Sequence, residues 1–424
     1  MSGKVSIGLL GLGTVGKGVV KVLKKFDNIE IKKIAVKNID KKREIADLDQ
    51  SILTNDAYSV VDDPEIKILV EVVGGVNPCL DLIKRAIQNK KHIVTANKEL
   101  IAKHGEELFK LARKHNVVIL YEAAVAGGIP IIMPLKQSLA ANKITKIAGI
   151  LNGTTNYILS RMETEGSEFE TILKDAQRLG YAEADPSGDI QGYDAAYKIA
   201  ILSSLAFNKR ININEIYREG IDRINPVDIA YASEFGYKIK LIALAQAENN
   251  DKVDIRVHPM LVPKIHPLAN INQVLNAVVV ESDIVGQVMF AGPGAGELPT
   301  ASSVVGDILA ITSELDRTDY ILPMMRCKHE LDAQHLKIDE TMNKYYIRVN
   351  ASNIPGVIGD LGIICGKNQI NLYSIIQKGI LEDGSARIVL LTESAYEKNI
   401  QKAVEEISKR PTTKKIANVI RVMD

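Results

Sequence analysis

The sequence lacks tryptophan, and it has few aromatic residues, almost no net charge and no long apolar run. Aromatic residues make up 5% of the 424 residues, and 53 basic against 52 acidic side chains leave a formal net charge of +1. This composition argues against a nucleic-acid surface, which needs clustered basic residues. The N-terminal apolar run, Val5 to Leu10, is too short for a signal-peptide core, and no run reaches the roughly 18 residues of a membrane span. We therefore expect a cytoplasmic protein with no membrane partner.

Cysteine is also scarce, and the cysteines form no motif. Cys79, Cys327 and Cys365 are odd in number and far apart, and none has the spacing of a metal-ligand set. We expect all three to be reduced and structural. The chain is too long for one ordinary hydrophobic core, so two or three domains are expected.

The N-terminal segment has the pattern of a dinucleotide-binding loop. The buried-strand pattern of Val5 to Leu10 is followed by glycines and a helix-like run, Lys17 to Phe26. The first glycine permits a tight turn, the second lets a pyrophosphate approach the backbone, and the third lets strand and helix pack closely. The predicted cofactor-binding residues of this loop are Gly11, Leu12, Gly13, Thr14, Val15 and Gly16.

The second strand, Ile29 to Val36, ends at a cation. NAD-binding domains carry an acidic residue about twenty residues after the glycine loop, where it binds the ribose 2′-hydroxyl. This chain has Lys37 and Asn38 there. A cation without a carboxylate suits a 2′-phosphate, so we predict NADP as the cofactor, while Asp40 nearby leaves the use of NAD open.

Strands and helices continue to alternate, which predicts a Rossmann-type, doubly wound α/β domain. The predicted elements are strand Ile68–Val73, the Gly74-Gly75 turn, helix Pro78–Asn89, strand His92–Thr95, helix Glu99–His115 and strand Val117–Tyr121. Thr95, Asn97 and Lys98 lie at the edge where such sheets bind ligands, so we predict that they contact the cofactor. Lys98 is either an ordinary surface lysine or a functional one, and its place in a first helical turn, where a cation is disfavoured, supports the second.

Charged side chains concentrate between Ala176 and Lys198. Gly180 ends a periodic run, Phe169 to Leu179, and Pro186 keeps its neighbour out of helical conformation. These signals predict a loop over residues 181–192 and a helix that resumes near Tyr193.

Asp194 and Lys198 are four residues apart on that helix and therefore share a face, while Glu183 and Asp189 belong to the loop. An acidic surface loop with one helical salt bridge is the simpler interpretation of this spacing. The alternative is a catalytic group in which Asp194 orients the lysine ammonium.

Residues 131–299 are predicted to form the second domain. Its strands are expected at Ile144–Leu151 and near Tyr237–Ala247, Lys252–Val262 and Asn276–Met289. The glycine-rich segment 292–296 could close over a cofactor, so Gly294 and Gly296 are candidate cofactor contacts. Helix Thr300–Leu315 then returns to the first domain, which comprises residues 1–130 and about 300–322.

The last eighty or so residues are predicted to be a separate, ferredoxin-like unit, residues 344–424, after a linker at 323–343. The βαββαβ order consists of strand Tyr345–Val349, helix Val357–Gly366, strands Ile370–Gln377 and Ala386–Leu391, helix Ala395–Ser408 and strand Ile416–Val422.

The spacing of residues 176–198 resembles the signature of the homoserine dehydrogenases. The matching residues are Ala176, Gly180, Tyr181, Ala182, Asp185, Pro186, Asp189, Ile190, Gly192, Asp194 and Lys198. The resemblance extends to the glycine loop, to Lys98, to the run that begins at Asn152 and to the chain end. It implies NAD(P)H-dependent interconversion of L-aspartate 4-semialdehyde and L-homoserine, a step in the biosynthesis of threonine, methionine and isoleucine.

The resemblance also implies roles for individual residues. Glu183 would hold the substrate ammonium, Lys198 and Lys98 would transfer the proton, and Asp194 would lie near the reacting oxygen. An ammonium lysine donates directly when the aldehyde is reduced and must first lose its proton when the alcohol is oxidised. The other substrate-binding residues implied are Asn152, Gly153, Thr154, Tyr181 and Asp189.

A cation site is implied by the small, glycine-rich segment 122–130. In the resembling family such a segment binds a monovalent cation, such as sodium, through backbone carbonyl oxygens. The corresponding residues are Glu122, Val125, Gly127 and Ile129. A hinge without an ion explains the segment nearly as well.

The C-terminal unit resembles an ACT domain, a regulatory module that binds amino acids. The turn containing Asn353, Pro355 and Gly356 offers an amide side chain and free backbone groups at a helix N-terminus, which suits the α-carboxylate of an effector such as threonine. Such modules pair, so a homodimer or homotetramer is expected. A purely structural dimerisation domain is the alternative.

Two other functions compete with the dehydrogenase. A phosphorylating semialdehyde dehydrogenase needs a cysteine nucleophile, and none of the three cysteines has a suitable context. A non-catalytic regulator that senses nucleotides and amino acids would leave the Glu183–Lys198 group without a purpose. No kinase-like segment precedes the glycine loop, so fusion to an aspartate kinase is not expected.

Overall fold

The structure is a computed structural model that describes residues 4–41, 45, 48–248, 251–315, 327, 329 and 331–423. The chain divides into two compact units. Unit 1 comprises Met1–Leu151, Asp194–Ile216 and Leu275–Ala333, and unit 2 comprises Asn152–Tyr193, Tyr217–Val274 and Gln334–Asp424. The predicted division into a 1–130 domain, a 131–299 domain, a linker and a 344–424 domain stays a prediction, and parts of the 300–322 and 323–343 segments lie outside the described residues.

The strands occur along the whole chain. They are β1 Val5–Leu10, β2 Ile29–Ala35, β3 Leu53–Thr54, β4 Ile68–Glu71, β5 His92–Thr95, β6 Ile119–Leu120, β7 Ile144–Ile150, β8 Lys209–Arg210, β9 Tyr217–Arg218, β10 Tyr237–Ala247, β11 Lys252–Pro263, β12 Leu275–Ser282, β13 Gln287–Pro293, β14 Leu331–Asp332, β15 Gln334–His335, β16 Met342–Ser352, β17 Leu372–Ile380, β18 Ser385–Thr392, β19 Ala395–Tyr396 and β20 Thr413–Val422.

The α-helices alternate with these strands. They are α1 Thr14–Leu23, α2 Ala57–Val61, α3 Cys79–Gln88, α4 Lys98–Lys114, α5 Gly153–Glu165, α6 Phe169–Arg178, α7 Ser187–Ile190, α8 Tyr193–Phe207, α9 Pro226–Glu234, α10 Glu297–Glu314, α11 Val357–Lys367 and α12 Glu397–Ser408.

Unit 1 contains a parallel sheet in the order β3-β2-β1-β4-β5-β6. Its central strands β1 and β4 are mainly apolar and almost entirely buried, as expected for parallel strands covered on both faces, and Ser6 and Glu71 are their polar residues. Helices α1 and α10 contribute to one core with these strands. A Cβ added to Gly18 would lie 2.4 Å from the carbonyl oxygen of Glu297, so the two helices approach closely because residue 18 has no side chain. The predicted Rossmann-type α/β arrangement is confirmed.

Unit 1 also contains an antiparallel group in which β12 pairs with both β7 and β13. The sequence predicts one strand region at Asn276–Met289, and this is wrong: the chain turns back at residues 283–286. The N–H of Ser282 donates to the carbonyl of Gly286 at 3.0 Å, and Gly286 has a φ of 75°, which favours glycine.

Unit 2 contains a sheet in the order β10-β11-β20-β16-β18-β17. Its C-terminal part has the predicted βαββαβ order, formed by β16, α11, β17, β18, α12 and β20. The last strand of this part, β20, also pairs in parallel with β11, where Leu261 lies beside Val422. Residues 344–424 are therefore joined to the rest of unit 2 by main-chain hydrogen bonds as well as by the continuous chain.

A buried ion pair strengthens this connection within unit 2. Asp228 on α9 has no exposed surface, and its two carboxylate oxygens accept hydrogen bonds from Arg348 at 2.7 and 3.1 Å. Tyr346 and Asn418 donate to the same carboxylate at 3.1 and 2.8 Å. Because every partner is buried or half-buried, this network fixes α9 against β16 and β20.

Several predicted boundaries need correction. Helix α1 begins at Thr14 and ends at Leu23, not Lys17 to Phe26, because Gly16, which was assigned to the glycine loop, is accommodated inside the helix. The predicted loop at residues 181–192 contains the one-turn helix α7, which begins directly after Pro186, and proline is tolerated at a helix start. The 50–61 region, which had no prediction, carries β3 and α2.

The three cysteines are free and buried, as predicted. Among the described residues, no helix combines the length and the apolar character that crossing a bilayer requires.

Candidate active site

The glycine loop of unit 1 has the geometry of a phosphate-binding turn. Gly11 follows β1 with a φ of 97°, and Gly13 is the N-cap of α1. A Cβ added to Gly16 would lie 2.3 Å from the carbonyl oxygen of Gly11, so the helix can begin this close to the strand only with glycine at position 16. The same test at Gly13 meets no heavy atom within 4 Å, which leaves the backbone open to a ligand at the helix N-terminus.

This loop forms one side of a cleft of about 1050 Å³. The opposite side is the segment after β2, where Lys37, Asn38, Asp40 and Lys41 are exposed. Val72 and Val73, which follow β4, complete the lining. The open glycine backbone at the N-terminus of α1 fits the pyrophosphate of a dinucleotide.

Two lysines and one carboxylate lie together elsewhere in unit 1. On α8, Lys198 Nζ lies 2.6 Å from Asp194 Oδ2, so the predicted pairing across one helical turn is confirmed. Lys98 Nζ lies 2.5 Å from Asp194 Oδ1, a contact that the sequence did not predict. Lys198 Nζ also donates to the carbonyl oxygen of Leu151 at 2.7 Å, which fixes the direction of its side chain.

The charges in this cluster are held in a largely buried environment. The side chains of Asp194 and Lys198 are 9% and 11% exposed, whereas that of Lys98 is 41% exposed. Burial alone would raise the pKa of the Asp194 carboxyl, but the Lys198 and Lys98 ammonium groups outweigh burial and hold that pKa well below its usual range. Asp194 therefore stays ionised at neutral pH, between two cations.

Asn97 explains how Lys98 comes to lie at the start of a helix. Its side-chain oxygen accepts from the N–H of Leu100 at 3.1 Å and so caps α4, and Lys98 becomes the first helical residue. A cation is unfavourable at this end of a helix. The Asp194 carboxylate compensates, which explains why the position tolerates a lysine.

The predicted substrate residues of unit 2 surround the start of α5. Asn152 is its N-cap: its oxygen accepts from the N–H of Thr155 at 2.8 Å, and its amide donates to Asp189 at 2.7 Å. The Thr154 hydroxyl donates to the carbonyl oxygen of Tyr181 at 2.7 Å, and Gly153 begins the helix. The side chain of Glu183 is exposed. Within unit 2, hydrogen bonds therefore connect two pairs of the predicted substrate residues, Asn152 with Asp189 and Thr154 with Tyr181.

The predicted cation segment in unit 1 is buried and irregular. It bends at Ala126 and Gly127, where two successive residues have positive φ. The Glu122 carboxylate accepts from three consecutive N–H groups, those of residues 131–133, at 2.6 to 2.8 Å. Asp307 on α10 accepts from the N–H of Glu122 at 2.8 Å, and burial together with the Glu122 charge raises the pKa of Asp307 well above its usual range. The carboxyl groups of Glu122 and Asp307 are thus both occupied by backbone N–H groups at this bend.

The glycine-rich segment before α10 lies against this region. Gly294 leaves no room for a side chain, because a Cβ there would lie 2.1 Å from Asn276, and Gly127 would meet the Gly294 carbonyl in the same way. Gly296 has a φ of 121° and is the N-cap of α10. These glycines permit close packing of the backbone. The contacts of Gly294 and Gly296 with a cofactor stay a prediction.

Comparison with known proteins identifies the family. Two family models match, "Homoserine dehydrogenase, NAD binding domain" at residues 11–122 and "Homoserine dehydrogenase" at residues 130–309. A homoserine dehydrogenase of Synechocystis is 48% identical over 432 residues, with 99% of both chains covered. The chain belongs to the homoserine dehydrogenase family.

Solved homoserine dehydrogenases have the same architecture. The enzyme of Thiobacillus denitrificans superimposes with a TM-score of 0.94 at 40% identity over the whole of both chains. A hyperthermophilic archaeal homoserine dehydrogenase in complex with NADPH matches 74% of this chain and 98% of its own, with a TM-score of 0.63 and 28% identity.

Family membership settles the choice between the competing functions. The chain is an NAD(P)-dependent oxidoreductase of the CH–OH group, a homoserine dehydrogenase of amino-acid biosynthesis. The phosphorylating dehydrogenase and the non-catalytic regulator are therefore rejected.

The sequence analysis did not single out two buried acidic side chains of unit 1, those of Asp307 and Glu71. Asp307 had no distinguishing signal, because an acidic residue on a helix is ordinary. Glu71 did have one, because it is the single charged residue in the apolar run from Ile68 to Val73. It is completely buried in the structure.

The predicted effector turn lies in the C-terminal part of unit 2. Gly356 has a φ of 91° and is the N-cap of α11, and residues 353–356 are exposed. The Asn353 side chain accepts from the amide of Gln377 at 3.2 Å. Residues 353–356 thus connect β16 to α11, and among the described residues no side chain caps the N-terminus of α11.

Proposed function

We propose that the Lys98–Asp194–Lys198 cluster performs the proton transfer of the homoserine dehydrogenase reaction. The observation that carries this proposal is one buried carboxylate bridging two ammonium groups at 2.5 and 2.6 Å. Burying the charges of Asp194 and Lys198 costs free energy that a surface ion pair would not cost, so their burial beside the half-exposed Lys98 points to a functional role. The cluster is best explained as a proton donor kept charged until substrate arrives.

The reduction of the aldehyde illustrates the roles. A bound reduced nicotinamide supplies a hydride from C4 to the aldehyde carbon. The Lys198 ammonium donates a proton to the carbonyl oxygen, which becomes the hydroxyl of homoserine, and Lys198 is left neutral. Lys98 stabilises negative charge as it develops on that oxygen, and Asp194 keeps both lysines oriented. In oxidation the neutral Lys198 accepts the hydroxyl proton.

A test of the cluster uses Asp194→Asn. The variant removes the charge that orients both lysines but leaves the glycine loop intact. We expect turnover to fall by about 10²-fold or more, with the dissociation constant for NADPH unchanged. Unchanged turnover would refute the assignment.

We propose Glu183, Asp189, Asn152, Gly153, Thr154 and Tyr181 as substrate-binding residues. The support is the family pattern, the exposed carboxylate of Glu183, which can receive an ammonium group, and the ordered contacts around the start of α5. Glu183→Gln should raise the KM for homoserine much more than that for the cofactor. Equal changes in both would contradict an ammonium contact.

NADP is proposed as the preferred cofactor. Lys37 and Lys41 flank the end of the nucleotide cleft, and a relative is described in complex with NADPH. Asp40 lies in the same segment, so NAD is expected to be used less efficiently. Initial rates with both cofactors measure the preference directly.

A monovalent cation is proposed at the segment containing Glu122, Val125, Gly127 and Ile129. The support is the family pattern together with the buried, irregular bend at Ala126 and Gly127, which follows the buried Glu122 carboxylate. Sodium should raise the melting temperature at constant ionic strength, compared with tetramethylammonium. No difference between the two salts would contradict the site.

The C-terminal βαββαβ segment is proposed to be an ACT domain that binds threonine at Asn353, Pro355 and Gly356, in a cytoplasmic homodimer or homotetramer. The support is the free N-terminus of α11. Because β20 pairs with β11, deleting residues 344–424 would disrupt unit 2, so a point variant is the better test. Threonine should inhibit the full chain and inhibit Asn353→Ala less; equal responses would contradict the site. Light scattering measures the assembly.

A further inference from the structure

Glu71 is the last residue of β4 and has no exposed surface. A buried carboxylate costs several kcal/mol unless hydrogen bonds compensate for the lost water. The surrounding strand is apolar, so the carboxylate adds nothing to the packing of the sheet. Glu71 lies at the carboxyl end of a parallel sheet, the edge at which such sheets bind ligands. Its hydrogen-bond partners therefore bear on the geometry of that edge.

One oxygen of Glu71 organises the segment that follows β4. Oε1 accepts hydrogen bonds from the N–H groups of Val73 at 2.8 Å and Gly74 at 2.9 Å. The Cys79 thiol also lies 3.5 Å from it, and burial followed by the Glu71 charge raises the pKa of that thiol to about 12, so the sulfur keeps its proton.

The other oxygen reaches the neighbouring strand. Oε2 accepts from the Thr95 hydroxyl at 2.6 Å, and the two residues are register partners of β4 and β5. Thr95 Oγ1 in turn accepts from the N–H of Asn97 at 3.0 Å. Asn97 closes the ring, because its amide donates to the carbonyl oxygen of Gly75 at 2.6 Å while its own oxygen caps α4.

This ring connects two functional parts of unit 1. On one side, Val72 and Val73 line the nucleotide cleft, and Val73 Cγ2 would lie 3.0 Å from a Cβ added to Gly11. On the other side, the Asn97 cap starts the helix whose first residue is Lys98. A shift of either segment would move cofactor and lysine relative to each other.

We infer that Glu71 is a positioning residue: it holds the wall of the nucleotide cleft and the first turn of α4 in one fixed relation. This inference rests on the proposed role of Lys98. Misplacement of reacting groups by about 1 Å can cost about 10²-fold in rate, so the effect on catalysis should exceed the effect on folding.

The ring has two arms that can be tested separately by mutation: the bonds of Glu71 with Val73 and Gly74, and the link from Glu71 through Thr95 to Asn97. Glu71→Gln replaces one carboxylate oxygen with an amide group, which removes an acceptor from one arm. It also removes the negative charge, which weakens the hydrogen bonds of both arms. Thr95→Val removes the hydroxyl with little change in shape, cuts only the arm toward Asn97 and leaves the Val73 and Gly74 bonds in place, whereas Thr95→Ser retains the hydroxyl. Cys79→Ala is the matched control, because it removes only two long thiol contacts, to Glu71 Oε1 and to the Gly74 carbonyl oxygen at 3.5 Å each, and leaves every N–H and hydroxyl bond of the ring in place.

The readouts are kcat and the NADPH dissociation constant, both per folded molecule. Glu71→Gln should lower kcat by about 10²-fold and weaken NADPH several-fold. Thr95→Val should lower kcat at least about tenfold, by a larger factor than it weakens NADPH binding, and Thr95→Ser should restore both quantities. Cys79→Ala should change neither quantity.

A purely structural role gives a different pattern. If Glu71→Gln and Thr95→Val lower the melting temperature but leave kcat and NADPH affinity within about twofold of the wild type, the inference is overturned. If Glu71→Gln does not fold, the comparison of Thr95→Val with Thr95→Ser decides. If the proposed role of Lys98 is wrong, Lys98→Ala will keep full turnover. The effect of Glu71→Gln on the NADPH dissociation constant would then still test whether Glu71 holds the wall of the nucleotide cleft.

Discussion

Replacing Lys198 by methionine should remove most of the turnover and leave cofactor binding intact. Methionine keeps an unbranched side chain on α8 but removes the ammonium, which lies 2.6 Å from Asp194 and 2.7 Å from the Leu151 carbonyl oxygen. A general acid or base contributes about 10²–10⁴-fold, which corresponds to about 3–5 kcal/mol of the barrier. We expect a loss in that range in both reaction directions.

The same change also affects stability, and its size can be bounded. Removing one partner of a buried ion pair costs about 3–5 kcal/mol, because the remaining charge is left without compensation. Asp194 would still be paired with Lys98 at 2.5 Å. The loss for Lys198→Met should therefore lie at or below the lower end of that range, and the variant should fold.

Lys91→Met is the matched control. Lys91 is 2% exposed, lies in unit 1 directly before β5, and donates to the carbonyl oxygens of Asp63 and Ile66, the latter at 2.9 Å. Lys91 lies at the amino end of β5, whereas Lys98 follows the carboxyl end of that strand. Lys91 is therefore buried like Lys198 but lies away from the proposed proton-transfer cluster. Oxidation of reduced nicotinamide is followed by absorbance, and NADPH binding by fluorescence. Equal losses of turnover in the two variants would refute the reasoning.

Lys37→Asp should raise the KM for NADP much more than that for NAD, because the new carboxylate repels only the 2′-phosphate; equal changes would exclude that contact. Asp228→Asn should lower the free energy of unfolding by about 3–5 kcal/mol in a denaturant titration, since Arg348 stays buried without its carboxylate, and a loss below about 1 kcal/mol would show the network to be unimportant. Burial lowers the pKa of His92 to about 4. Below the ordinary histidine pKa of about 6.5 the unfolded chain binds a proton that the folded chain does not, so the protein loses stability as the pH falls from about 6.5 toward 4. His92→Asn should therefore reduce the loss of stability between about pH 7 and pH 5 by about 2 kcal/mol, and an unchanged pH dependence would contradict the burial argument.

Local patterns predicted those parts of the site that lie within one or two helical turns. The spacing of Asp194 and Lys198 places them on one face of a helix whatever the fold, and the glycine loop dictates its own turn. The contact of Lys98 with Asp194 could not be predicted in this way, because the two residues are 96 positions apart and meet only when α4 and α8 are in place. The ring around Glu71 similarly depends on the register of β4 with β5.

The wrong predictions have physical causes of the same kind. Gly16 was assigned to the glycine loop, yet it lies inside α1, where its missing side chain lets the helix begin close to the carbonyl oxygen of Gly11. The hairpin between β12 and β13 was missed although Asp283 and Gly286 are typical turn residues, because Ile284 and Val285 between them continue the apolar strand pattern. In the structure these two residues are exposed at the turn.

We propose that this chain catalyses the dehydrogenase reaction through the lysine–carboxylate cluster. The decisive measurement is the initial rate of NADP reduction with L-homoserine, for the wild type and for Lys198→Met alongside Lys91→Met. We expect reduction that requires homoserine, is retained in Lys91→Met and falls by about 10²-fold or more in Lys198→Met. Homoserine-dependent reduction that is equally fast in Lys198→Met would contradict it.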